Sequence, residues 1–308
     1  MKIKKALIFG ISGQDGSYLA NFLIKKGYKV DGVSKSLKFQ NLRLLKIQKK
    51  IKIFKYPKKL DSLLKKNYDE IYFLGGQSNV FQSFSNQNTT YNSQIQPIIP
   101  ILEHIRMKKI KSKFLYASSS EIFGNYKNRS KKNENSFKQP VSPYGLSKLI
   151  GFEIIKSYRE MFKIPVCSVI FFNHESPLRS KEYVIKKIID YLKSNKKKKL
   201  KLGNINIKRD WGWGPEFVQA CHKILMSKDI DDYVIASGKT HSLKDVLKEA
   251  FLLNNLNYKK FVVSDERKKR KFDINQNYAN IKKIKSKLNW KPRVNLKKII
   301  FRMYNYEY

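Results

Sequence analysis

The first chemistry in this chain sits at Tyr144-Gly-Leu-Ser-Lys148. The two functional side chains stand one helical turn apart, so a helix would put them on one face. A free phenol ionises near pH ~10 and is a poor base at neutrality. An ammonium beside it favours the phenolate. On that reading Tyr144 takes a proton from a substrate hydroxyl, and Lys148 prepares it to do so. Upstream, Ala117-Ser-Ser-Ser-Glu121-Ile-Phe-Gly124 follows an apolar run. The three serines offer hydroxyls at a strand end. A plain dehydrogenase needs no carboxylate there. Glu121 supplies a second acid–base group, able to take a proton from carbon and help a hydroxyl leave. The catalytic candidates are therefore Glu121, Tyr144 and Lys148, with a hydroxyl from the three serines.

A second signal lies at the N-terminus. Gly10-Ile-Ser-Gly13-Gln-Asp-Gly16 follows the apolar run 6–9 and opens an amphipathic pattern. Glycines at this spacing allow a tight turn, a close approach of backbone N–H groups to a pyrophosphate, and close packing of helix on sheet. The helix N-terminus adds partial positive charge. Gly10, Gly13, Gln14, Asp15 and Gly16 are thus candidates for a dinucleotide cofactor. The next strand ends in Val33-Ser34-Lys35-Ser36. No acid stands there to accept the ribose hydroxyls of NAD, and Lys35, with Lys38 nearby, can meet a 2′-phosphate. The expected cofactor is NADP.

These residues need a scaffold that brings them to one edge. Apolar runs at 6–9, 29–33, 51–54, 70–74, 114–117 and 166–172 alternate with helical patterns at 17–26, 61–66, 91–106 and 144–162. Alternation of this kind predicts parallel pairing and an α/β, Rossmann-type doubly wound sheet. Further helices are expected at 182–194, 215–226 and 243–253. Residues 1–172 read as the dinucleotide-binding domain. Residues 173–308 read as a smaller substrate-binding α/β unit, interleaved with the first.

Composition bounds the rest. The chain has 308 residues, 41% hydrophobic and 13% aromatic, enough for a sizeable core. No apolar run approaches the ~18 residues of a membrane span. Lys2, Lys4 and Lys5 before an apolar run resemble a signal peptide, but Gln14 and Asp15 interrupt it, so it reads as a strand. Cys167 and Cys221 are far apart and lack metal-ligand spacing, which points to a reducing cytoplasm and no metal. The net charge is +41. Lysines are spread along the whole chain beside abundant Asn and Ile, the mark of AT-rich coding. No nucleic-acid-binding motif accompanies them, so no specific nucleic acid is expected. The positive field would still speed capture of an anionic substrate.

Taken together, these motifs resemble the extended short-chain dehydrogenase/reductase superfamily and, within it, the GDP-mannose 4,6-dehydratase family. The resemblance also rests on Gln77-Ser-Asn-Val80, Phe172-Asn-His-Glu-Ser-Pro177, Lys208-Arg-Asp-Trp-Gly212 and Leu288-Asn-Trp-Lys-Pro292. It implies an NADP-dependent hydro-lyase acting on a GDP-sugar. By resemblance Leu74 and Gly75 join the cofactor site, and Ser119 stands where threonine is usual. Asn173, Lys187, Arg209, Arg270 and Asp273 would hold the nucleotide, with Asp273 replacing a glutamate. A homo-oligomer is implied, a homodimer rather than a tetramer, because the loop after the second strand is shortened. Other departures are Gly75-Gly76 in place of paired alanines and Leu178 in place of an arginine. The rival readings are a sister epimerase or reductase, a plain dehydrogenase, and a degenerate nucleotide-sugar or RNA-binding module.

Overall fold

Strands buried on both faces read as near-continuous apolar runs, and they organise this molecule. The computed structural model describes residues 2–36, 38–56, 60–125, 130–194, 198–265 and 273–308. The chain runs β1 (Lys5–Phe9), α1 (Gln14–Lys25), β2 (Lys29–Ser34), α2 (Gln40–Leu44), β3 (Lys52–Lys55), α3 (Leu60–Leu64) and β4 (Glu70–Phe73). Then come α4 (Val80–Ser85), α5 (Gln87–Gln94), α6 (Ile98–Met107), β5 (Lys113–Ser119), α7 (Pro143–Phe162), β6 (Val166–Phe171) and β7 (Asn173–Glu175). The last part holds α8 (Val184–Leu192), β8 (Leu200–Leu202), β9 (Lys208–Trp213), α9 (Gly214–Leu225) and β10 (Tyr233–Ile235). It ends with β11 (Thr240–Ser242), α10 (Leu243–Leu252), β12 (Val262–Ser264), α11 (Lys282–Leu288) and α12 (Leu296–Tyr304).

The main sheet has seven strands in the order β10-β6-β5-β4-β1-β2-β3, every pairing parallel. Chain order reverses between β1 and β4, and a doubly wound sheet binds its ligand at that crevice. The expected α/β class is what the chain adopts. Three elements past residue 172 return to this first body: β10 pairs with β6, α9 packs on α1, and α11 packs on β10 with Ile284 in the same core. The second body has its own core, built from α8, α10, α12 and β9 around Trp211 and Phe251. On α12, Leu296, Ile299, Ile300 and Met303 form the buried stripe. Full burial of each such side chain contributes roughly 1.5–3 kcal/mol. Among the described residues no helix is long and apolar enough to cross a membrane.

Two elements differ from the sequence expectation in ways that shape the site. The helix expected from Ser17 begins at Gln14, because Gly13 is extended and caps it. Gln14 and Asp15 thereby enter its first turn. The helix expected over 91–106 is two, α5 and α6. Pro97 stands between them as the cap of α6, lacks an N–H, and disfavours helix at the residue before it.

Candidate active site

The turn between β1 and α1 is built for close approach. Gly10 takes φ +80°, and a Cβ there would meet the Gly75 backbone at 2.7 Å. A Cβ on Gly16 would lie 2.2 Å from the Gly10 carbonyl oxygen. Gly13 donates to Gly10 O at 2.9 Å and leaves the start of α1 without a side-chain cap. Gly13, Gln14 and Asp15 at the start of α1 line the cleft, a fit for a pyrophosphate. Gly16 lies behind the turn and sets how close α1 comes to β1. A cleft of about 1130 Å³ runs from here across the switch point. Small-molecule sites usually span ~300–1,000 Å³, so this one has room for two nucleotides.

One end of the cleft is lined by Ser34, Lys35, Ser36 and Tyr56. Lys35 is exposed there. The other end is lined by Asn173, Lys187, Arg209 and Asp273. Arg209 is buried and donates to Asp273 Oδ1 at 2.9 Å. Gly10, Gly13, Gln14, Asp15, Leu74, Gly75, Ser119, Glu121, Tyr144 and Lys148 line the length between. Arg270 lies outside the described residues. Apart from Gly16, behind the turn, and Arg270, the sequence-predicted residues thus line one cleft.

At the centre, Ser142 caps α7 and Pro143 starts it, which sets Tyr144 in the first turn. Ser119 ends β5, and its hydroxyl accepts from the Glu121 backbone N–H at 3.3 Å. Glu121 rides the single 3-10 turn that follows. Lys148 is 4% exposed. Its Nζ donates to Ala117 O and to Gln94 Oε1, each at 2.7 Å. It lies 5.9 Å from the Tyr144 ring centre. Burial pushes the Lys148 ammonium down to about 7, against the opposing pull of Asp15. Burial likewise raises the Tyr144 phenol well above its ordinary range. Tyr183 and Glu121 add to that, while Ser119 and Arg179 oppose it. A tyrosine, a lysine, a strand-end hydroxyl and a carboxylate thus line one cleft.

Sequence reasoning passed over several neighbours. His174 sits between the Phe172 carbonyl and the Asp15 carboxylate, at 2.8 and 2.9 Å. Ser176 donates to Gln14 Oε1 at 2.7 Å. The Asn-His-Glu-Ser-Pro segment therefore holds the first turn of α1. Burial raises the Asp15 carboxyl, but His174 and Arg179 outweigh it and bring it below its usual range. Arg179 stacks on the Tyr183 ring at 3.4 Å, and the Tyr183 and Ser78 hydroxyls meet at 2.8 Å across the cleft mouth. Only folding joins Ser78 to Tyr183, so no local spacing announces them. Gln94 did leave a trace: it and Thr90 are polar residues one turn apart on the buried face of α5.

The GDP-mannose 4,6 dehydratase family model matches residues 7–303. GDP-mannose 4,6 dehydratase 1 of Arabidopsis thaliana is 34% identical over 96% of this chain and 88% of its own. The Dictyostelium discoideum GDP-mannose 4,6 dehydratase is 37% identical over 80% of this chain and 75% of its own. Among solved structures, a Bacillus cereus UDP-glucuronic acid 4-epimerase in complex with UDP-glucuronic acid and NAD superposes with TM-score 0.88. It covers 98% of both chains at 22% identity, and so speaks for the fold alone. With the model spanning nearly the whole sequence and relatives above three residues in ten identical over four fifths of the chain or more, the chain belongs to the GDP-mannose 4,6-dehydratase family of sugar-nucleotide dehydratases.

Proposed function

We propose that this protein converts GDP-D-mannose to GDP-4-dehydro-6-deoxy-D-mannose and water. The observation that carries the reading is Glu121 in the same cleft wall as Tyr144 and Lys148, since only an elimination needs that carboxylate. A nicotinamide dinucleotide, when bound, supplies a hydride acceptor and donor. Gly10, Gly13, Gln14, Asp15, Gly16, Lys35, Leu74, Gly75, Tyr144 and Lys148 would hold or border it. As carbon 4 is oxidised, Ser119 orients the 4-hydroxyl and Tyr144 takes its proton, with the Lys148 charge favouring the phenolate. The new ketone acidifies the carbon 5 hydrogen. Glu121 takes that proton and passes it to the 6-hydroxyl, which leaves as water. As carbon 6 is reduced, Tyr144 returns its proton at carbon 5. Asn173, Lys187, Arg209, Asp273 and Arg270 would hold the GDP moiety.

The test is incubation with GDP-mannose, followed by product mass. Loss of one water is expected; an isomer of unchanged mass would point to an epimerase instead. Glu121→Gln is expected to build up the 4-keto sugar nucleotide without losing water. If that variant fails even to oxidise carbon 4, Glu121 acts earlier than assigned.

The cofactor reading is NADP. The β2 tip offers Ser34, Lys35 and Ser36 and no free carboxylate; Asp31, further back, is buried against the Tyr68 hydroxyl. Lysine is a flexible point charge, so a margin of about 1–2 kcal/mol over NAD is expected. Lys35→Ala should erase most of it in paired dissociation constants. Tighter NAD binding by the native protein would overturn the assignment. A homodimer through the α4, α6 and α7 face is the proposed assembly, supported by exposed Phe81, Phe84, Ile99 and Leu146.

A further inference from the structure

Gln94 closes α5 and has no accessible surface. Its carboxamide bridges two parts of the site. Oε1 accepts from Lys148 Nζ at 2.7 Å, and Nε2 donates to the Gln77 carbonyl at 2.8 Å. Both directions are forced. An ammonium only donates and a backbone carbonyl only accepts, so turning the amide end for end would set donor against donor. Beside it Gly76 takes φ +103°, and a Cβ there would meet the Gln94 carboxamide at 2.5 Å. The glycine leaves the space the glutamine fills. Ala117 O takes a second Nζ hydrogen, so two of the three ammonium donors are fixed.

We propose that Gln94 is a positioning residue for proton transfer at Tyr144, keeping the Lys148 nitrogen charged and aimed with a neutral acceptor. The inference rests on the roles assigned to Tyr144 and Lys148 above. Around this nitrogen stand Asp15 of α1, Tyr116 of β5 with its ring centre 4.9 Å away, and Tyr144 on the same helix, and Glu121 and Arg179 act on Tyr144 in turn. Helices α4 and α5 bring no charged residue, and on α6 Glu103 and Arg106 pair with each other. The burial that works against the ammonium is therefore offset largely by acceptors. A carboxylate at position 94 would hold the charge but cancel its field. An amide accepts the hydrogen and leaves the full charge to bias the phenol.

The experiment is competitive acylation of ligand-free protein with acetic anhydride across pH, read at Lys148 by peptide mass spectrometry. Gln94→Met should move the Lys148 midpoint down by about one pH unit, the scale of one lost bond to a charged group. Gln94→Glu should move it up by about one to three. Both variants should lose about tenfold or more in kcat with KM little changed. Equal midpoints in all three proteins would overturn the inference whatever the activities. If Gln94→Met does not fold, the upward shift in Gln94→Glu decides alone. Opposite shifts in a protein that fails to dehydrate GDP-mannose would support the anchor and sink only the reaction proposed above.

Discussion

Burial acts on Tyr144 and Lys148 by one cause and in opposite senses, raising the phenol and lowering the ammonium. Each group alone is thus a worse catalyst than in water, and the pair works only when charge on one offsets charge on the other. Tyr144→Phe is expected to lose ~10²–10⁴-fold in turnover with nucleotide dissociation constants unchanged. Near-native turnover would remove the phenol from the chemistry. Lys148 also makes a stability prediction. Its folded-state midpoint, about 7, lies below its unfolded one. Between pH ~7 and ~10.4 the unfolded chain holds more protons, so native stability rises with pH through that window. Below it the cost of burying the ammonium is fully present. Lys148→Met should therefore melt higher than native protein at pH 6, by about 2–4 °C, with the gap closing toward pH 10. A gap independent of pH would show that the ammonium is not the cause. At this scale the sequence was legible where chemistry is local. Tyr144 with Lys148, and Ser119 with Glu121, are neighbours in the chain. Gln94 and Tyr183 were not, because their partners Lys148 and Ser78 meet them across long stretches of chain.

Helices and strands decide what those residues can reach. The alternation of apolar runs named six of the seven main strands, since a parallel sheet buried on both faces demands such runs. The three-residue strands β7, β8 and β10 to β12 escaped that reading, being too short to show a period. The start of α1 was read three residues late, because an amphipathic pattern is visible only after the first turn. That first turn is where Gln14 and Asp15 meet Ser176 and His174. The Gly10–Gly16 contact holds the whole element in place. Gly16→Ala would drive a Cβ to 2.2 Å from a backbone oxygen, which neither chain segment can relieve by a rotamer change. The expected cost is about 1–3 kcal/mol of stability, with α1 pushed off β1. Dinucleotide affinity should fall with it, about tenfold or more. Calorimetric melting and cofactor titration on the one variant test both; native values in each would mean the turn has slack that the contacts deny.

Across the whole molecule, 65 basic and 24 acidic residues set a strong self-repelling field. Weak, salt-sensitive retention on any polyanion follows, and sequence-selective binding at physiological salt would contradict the compositional reading of the charge. The same field bears on assembly. Two such bodies repel at long range, so a homodimer needs a face that carries little charge. Residues 71–102 contain no Asp, Glu, Lys or Arg, in a chain that is 29% charged. That stretch builds β4, α4, α5 and the first half of α6, and α4 and α6 both pack beside α7. Phe81 and Phe84 are 61% and 40% exposed there, with Ile99 on α6 and Leu146 on α7 also open. Apolar side chains left exposed on a sparsely charged face are what a self-complementary contact requires. Salt should then act in an unusual direction. Contacts through the uncharged stretch would offer few ion pairs for salt to weaken, while repulsion between the bodies is screened over a Debye length of ~10 Å at 0.1 M. Dimerisation is expected to tighten as salt rises from low to moderate ionic strength, by sedimentation equilibrium on the native protein. Phe81→Lys with Phe84→Lys should return it to monomer at every salt concentration without lowering the melting temperature of the monomer. A dimer that weakens with salt would mean that ion pairs elsewhere on the surface hold it. A native protein monomeric throughout at tens of micromolar would leave this face without a second copy.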